Sequence, residues 1–185
     1  MNIKRYLVTL ISILVLTTAF GTALASPDIN ANKENVKEGH AITTAAETVD
    51  LEKAKDLMDN IDLHLPTLLP DNFKQESVIY NEPPAIIRNS LHNFDEDSVK
   101  EVTIRYRDQK DPTKWIDYTT KKMEIELVDK NVQQIEINGV QGQYLESKEK
   151  GIRVYNWFSN GASHFVVAKY GIEESQILNF INSIK

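Results

Sequence analysis

The chain has 185 residues, no cysteine, and 27 acidic against 21 basic side chains. Without cysteine there is no disulfide scaffold, thiolate zinc site or thiol nucleophile, so the fold rests on an ordinary hydrophobic core, which this length can supply. The acidic balance argues against a nucleic-acid partner, whose phosphates need clustered Lys and Arg; the basic groupings here, Lys121-Lys122 and Arg105/Arg107, are short and sit among acids.

Residues 1–25 have the three-part order of a secretory signal peptide: Lys4 and Arg5, an apolar run over residues 6–20, then Ala23-Leu24-Ala25. Cleavage is expected between Ala25 and Ser26. The absence of cysteine excludes lipid attachment at the first mature position. The alternative is an uncleaved N-terminal anchor, although the run of 15 residues falls short of the ~20 that span a bilayer. No second apolar segment approaches that length, so no stable membrane insertion is expected after cleavage. The mature chain would keep 160 residues with 19 basic and 27 acidic side chains, a formal charge of −8, and one domain's worth of sequence.

Residues 26–43 are rich in Asn, Asp, Lys, Glu and Gly with almost no large apolar side chain, which predicts a disordered linker, His40 included. A single domain is expected over residues 44–185. Thr44-Ala45-Ala46-Glu47 has the spacing of a capping box and predicts a helix start, with Ala54, Leu57, Met58 and Ile61 as its apolar stripe. Pro66 and Pro70 stop the helix and make residues 65–71 an extended connector, with His64 beside it.

From Phe73 the apolar period changes to two. Val102, Ile104 and Tyr106 alternate with Thr103, Arg105 and Arg107, and Met123, Ile125 and Leu127 alternate with Glu124 and Glu126, which predicts half-buried antiparallel strands. If these two strands are neighbours, the Arg and Glu pairs face one another on the wet side. Ile135 and Ile137 continue the pattern after a polar break. Asn138-Gly139 and Asn160-Gly161 predict hairpins with type I′ turns. A two-residue turn at Asn160-Gly161 pairs Phe158 with Ser163, Trp157 with His164, Tyr155 with Val166 and Val154 with Val167. Both faces of this hairpin carry apolar bulk, so it should be covered on both sides. After Gly171, Glu173 and Glu174 suit a first helical turn, and Ile177, Leu178, Ile181 and Ile184 form the stripe of a closing helix.

Several residues together resemble an extracytoplasmic domain family without assigned function. They are Glu52-Lys53-Ala54-Lys55 leading into Leu63-His64-Leu65-Pro66 and Leu69-Pro70-Asp71-Asn72-Phe73, then Gly139-Val140-Gln141-Gly142-Gln143-Tyr144, then Trp157 before an Asn-Gly turn, and the closing helix. Members occur in secreted, lipid-anchored and anti-sigma-associated proteins of Gram-positive-type bacteria and are distantly similar to lipoprotein-carrier folds. The resemblance covers about residues 44–185. It implies an α+β fold in which a curved antiparallel sheet has an N-terminal and a C-terminal helix packed on one side, and it brings no catalytic residues. The sequence departs from the family over residues 108–118, where Gln109-Lys110-Asp111-Pro112 reads as an extended loop.

The chemistry-bearing residues do not form catalytic patterns. Ser163 and His164 are strand neighbours that point to opposite faces, and there is no G-x-S-x-G elbow. Asp95, Glu96 and Asp97 beside His92 lack calcium-loop spacing, and His40, His64, His92 and His164 show no zinc spacing. The seven glycines make no phosphate loop, and the acids nominate no glycosidase pair. No cofactor, metal or catalytic residue is expected. The candidate binding residues are Tyr155, Trp157, His164 and Val166, which form an aromatic patch on one sheet face. The patch lines an apolar groove if helices cover only the other face, and is ordinary core if the N-terminal helix or the connector lies over it. The expected function is that of an exported, non-enzymatic binding or regulatory module, its partner a protein of the envelope or extracellular space. The alternatives are a carrier of a lipid or other apolar small molecule and, third, an extracellular hydrolase.

Overall fold

A computed structural model describes residues 45–58, 61–82 and 100–184. The expected signal peptide, the Ala25/Ser26 cleavage site, the linker with His40, Thr44, and the acidic turn with His92 lie outside these residues.

The described chain forms an α+β fold built on one open antiparallel sheet of eight strands with two helices. In chain order the elements are β1 (Ala45–Val49), α1 (Leu51–Met58), β2 (Phe73–Glu82), β3 (Glu101–Asp108), β4 (Trp115–Lys121), β5 (Gln133–Ile137), β6 (Val140–Ser147), β7 (Ile152–Ser159), β8 (Ala162–Lys169) and α2 (Glu174–Asn182). The spatial order is β1-β2-β3-β4-β8-β7-β6-β5. The second half of the sheet is therefore laid down in reverse, and the connection from β4 to β5 must cross the three strands between them.

The first helix does not begin at Thr44. Residues 45–49 pair with β2, and Asp50 caps the helix instead, its Oδ1 accepting the Lys53 N–H at 2.7 Å. A cap one residue before Leu51 competes with the capping-box spacing further upstream, and strand pairing of Ala45–Val49 decides between them.

Gln109-Lys110-Asp111-Pro112 lie in the loop between β3 and β4, whereas Asp108 and Trp115 to Tyr118 are strand. The loop closes early, with Asp108 Oδ1 accepting from Lys110 N–H at 2.7 Å, and β4 then pairs with β3 so that Arg105 lies opposite Asp117. Arg105 and Asp117 form a two-pronged ion pair at 2.7 and 2.6 Å, and the guanidinium sits 5.0 Å from the Trp115 ring centre. Arg107 pairs with Glu76, the residue that a bulge between Gln75 and Ser77 inserts into β2. The arginines thus meet Asp117 and Glu76, not Glu124 and Glu126.

The alternating segment 123–127 is not a strand either. Residues 122–132 run as an irregular strap from β4 to β5, and Ile125, Leu127 and Val132 pack on Val154, Phe165 and their neighbours Leu145, Ile152 and Val167. This second, smaller core answers what covers that side of the β7–β8 hairpin. The main core holds Val102, Ile104, Tyr106, Ile116 and Tyr118 from the sheet together with Ala54 and Met58 of α1 and Ile177, Phe180 and Ile181 of α2. Phe180 meets Tyr106 edge-on, with ring centres 5.3 Å apart.

Candidate functional site

The Asn160-Gly161 turn sets the geometry of the candidate residues. Asn160 and Gly161 have φ of 52° and 79°, the left-handed pair of a type I′ turn. The resulting register is the one the turn predicts: Phe158 opposite Ser163, Trp157 opposite His164, Tyr155 opposite Val166 and Val154 opposite Val167. Tyr155, Trp157, His164 and Val166 therefore share one face, and all four are buried.

His164 is the centre of this group. Its ring stacks on Trp157, with centres 5.1 Å apart, and lies nearly parallel to Tyr118 on β4 at 6.1 Å. The Tyr118 hydroxyl stands 2.9 Å from Nδ1, and Nε2 faces the Ser159 carbonyl at 3.4 Å. A neutral ring protonated on Nε2 satisfies both contacts, donating to Ser159 and accepting from Tyr118. Burial lowers the His164 pKa to about 4, opposed by the Ser159 carbonyl and reinforced by His64. The ring is thus held uncharged and fully occupied at neutral pH.

The helices lie on this group's side of the sheet, since Ala54 and Met58 of α1 and Ile177, Phe180 and Ile181 of α2 share one core with Tyr155, Trp157 and Val166. The patch is therefore covered core and not an open groove, and the residues leading into the connector reach it. Leu63 belongs to the same core, His64 stands 6.4 Å from His164 ring to ring, and Asn160 Nδ2 approaches His64 Nε2 at 3.5 Å. The connector is in turn tied to the end of α2: Leu68 N–H donates to Ser183 Oγ at 3.0 Å, and Thr67 N–H to the Ser183 carbonyl at 3.2 Å. Leu68 and Leu69 remain exposed beyond these bonds. Tyr155 differs from the rest of the group because its hydroxyl is buried without a hydrogen-bond partner, and desolvation raises its pKa well above the ordinary phenol range.

Ser163 and His164 do not form a dyad. Ser163 points to the other face, where its Oγ accepts the Ile125 N–H of the strap at 3.0 Å. Two further polar side chains on that face bond the strap, and sequence reasoning missed both. Asn156 Nδ2 donates to the Ile125 carbonyl at 2.7 Å; Gln143 accepts from Leu127 N–H at 2.7 Å and donates to the Leu127 carbonyl at 3.4 Å. The available signal was their position: Gln143 lies opposite Asn156 in the β6–β7 register, in rows otherwise occupied by Leu145 and Val154. A polar pair set into an apolar row needs a partner, and the strap backbone is that partner.

Among the described residues no three His, Asp or Glu side chains stand together as a metal site, and no helix is long and apolar enough to cross a membrane. No protein-family model, curated protein or solved structure matches the chain.

Proposed function

We propose that the chain is an exported, non-enzymatic binding or regulatory module that works in the cell envelope or outside the cell, through a protein partner. The observation that carries this reading is the engagement of its most reactive side chains in the fold: Ser163 holds the strap, and His164 is stacked and bonded at both ring nitrogens. Export rests on the order of residues 1–25, with release after Ala25. The reading includes membership of the extracytoplasmic domain family over residues 44–185. It also includes the finer architecture of that family, with both helices on one side of a curved sheet, which is supported by the core that α1 and α2 share. The test is capture from an envelope extract with the mature chain as bait. One specific partner, enriched over a scrambled control and competed by free protein, supports the reading, and the lack of any such partner counts against it.

A second reading is a carrier of a lipid or other apolar ligand at Tyr155, Trp157, His164 and Val166. It is favoured by the unpartnered Tyr155 hydroxyl in an aromatic setting, and it requires the packing over the four buried side chains to open for a ligand. Native mass spectrometry of the secreted protein separates the two. A mass beginning at Ser26 with a lipid-sized adduct favours the carrier; a clean apo-protein mass leaves the protein partner. A hydrolase has the least support, because a nucleophile and base on opposite faces cannot exchange a proton.

A further inference from the structure

The strap is bound to the sheet in an unusual way. Every backbone polar group of its two inward residues, Ile125 and Leu127, is taken by a side chain of the sheet: Ile125 N–H by Ser163, Ile125 C=O by Asn156, and both groups of Leu127 by Gln143. The Gln143 carboxamide uses its two ends as the peptide unit of a neighbouring strand would. The side chains of Ile125 and Leu127 fill apolar positions beside Val154 and Phe165, whereas Glu124 and Glu126 are exposed. At Ile125 and Leu127 this surface reads the main chain and an alternation of apolar side chains. The strap belongs to no strand, and its own backbone closes only a turn, Val132 N–H to the Asp129 carbonyl at 3.2 Å. It is anchored at both ends, by β4 and β5, so it can lift as a loop while both strands stay in the sheet.

We propose that the Gln143/Asn156/Ser163 face is a docking site for an extended peptide with apolar residues at alternating positions, and that in the free protein the chain's own strap occupies it. The occupant's chemistry is read from the segment seated there: two apolar side chains two residues apart, with their main-chain groups free to bond. The inference rests on the reading of the chain as a protein-interaction module and names the surface and partner class for it. Because the strap competes as a tethered ligand, a peptide in trans binds the free protein weakly and binds more tightly once the strap's hold is reduced.

Two measurements test it. In hydrogen exchange on the full chain, the Ile125 and Leu127 amides exchange by local opening, on the order of 100-fold faster than those of the β7 core. The second uses a labelled synthetic peptide of residues 122–129, titrated into the wild type and into Leu127→Ser. Saturable binding is expected, on the order of tenfold tighter to Leu127→Ser, lost when Gln143→Ala is added, and absent for a peptide with Ser at both apolar positions. Exchange of the strap amides only with global unfolding overturns the proposal, and decides alone if Leu127→Ser does not fold. Absence of saturable peptide binding to a folded Leu127→Ser also overturns it, as does binding of oleate at this face in place of the peptide. Capture of a partner that still binds after Gln143→Ala would sink this surface while sparing the module reading.

Discussion

Ser163 and His164 are adjacent in sequence and serve opposite faces of one sheet. Ser163 Oγ accepts from Ile125 N–H on one side, and His164 Nδ1 faces the Tyr118 hydroxyl at 2.9 Å on the other. The alternation of a strand separates them completely, so each is committed to a different layer of packing. The two residues that look most like chemistry are two of the fixtures that join the layers.

The His164 fixture has a pH signature. Its folded pKa is lowered to about 4 by burial, whereas the unfolded chain takes up the same proton near the ordinary value of 6.5. The unfolded state therefore binds more protons between these values. The stability that neutral His164 contributes is complete above 6.5 and is lost as pH falls towards 4, at about 1.4 kcal/mol per pH unit in the middle of the window. Urea midpoints measured from pH 7.5 to 4 should fall through that window. His164→Phe should flatten the slope there while lowering the midpoint at pH 7.5, and an unchanged slope would mean that other groups set the acid response.

Asn138 should matter more than Asn160 although both begin the same kind of turn. Asn138 adopts φ of 51° and donates its amide to the Ile181 carbonyl at 3.3 Å, so the β5–β6 hairpin holds the last turn of α2. Asn138→Asp keeps the turn, removes that donor and sets a carboxylate against a carbonyl. The expected loss is about 1 kcal/mol in urea unfolding. Asn160→Asp at the exposed tip of the other hairpin should cost less than half as much.

Turns were legible because they are chemically local. Asn160-Gly161 alone fixes the register of Trp157 and His164, since few residue pairs accept positive φ at both positions. The choice of neighbours is not local. Met123, Ile125 and Leu127 alternate as a strand does because any apolar surface beneath an extended chain demands that period, whether or not a strand lies beside it. The strand β4 was hidden for the converse reason. Asp117 reads as a loop residue until Arg105 lies across from it, and Tyr118 shows its role only once His164 is beside it. Gln143 and Asn156 likewise become intelligible only with the strap in place.

Gly142 is a packing site. A methyl group there would stand 2.8 Å from Ile137 Cδ1 and 2.9 Å from the Asn156 carbonyl oxygen, and the second neighbour is main chain of β7 that cannot step aside. Gly142→Ala should therefore destabilise by roughly 1–3 kcal/mol, despite replacing the residue least suited to a strand. Because the displaced atoms adjoin Asn156, the near-ultraviolet signal of Trp157 should change with it. A variant that melts at the wild-type temperature would show that β6 and β7 have slack at this point.

Arg105 tests whether the polar half of the sheet contributes to stability or only to solubility. Its guanidinium meets both carboxylate oxygens of Asp117 while lying over Trp115, and the side chains of the pair are only 19% and 15% exposed. The bond to Asp117 is the main cause that raises the arginine's pKa, and it outweighs the opposing effect of the guanidinium's partial burial. Lysine keeps the charge but cannot make two parallel bonds or stack by a plane. Arg105→Lys should accordingly lose on the order of 1 kcal/mol, and a double-mutant cycle with Asp117→Asn should return a coupling above the 0.2–1 kcal/mol of an exposed pair. The coupling should survive 0.5 M salt, since the partners are shielded by the strands that carry them. A coupling that vanishes in salt would assign the pair to the solvated surface.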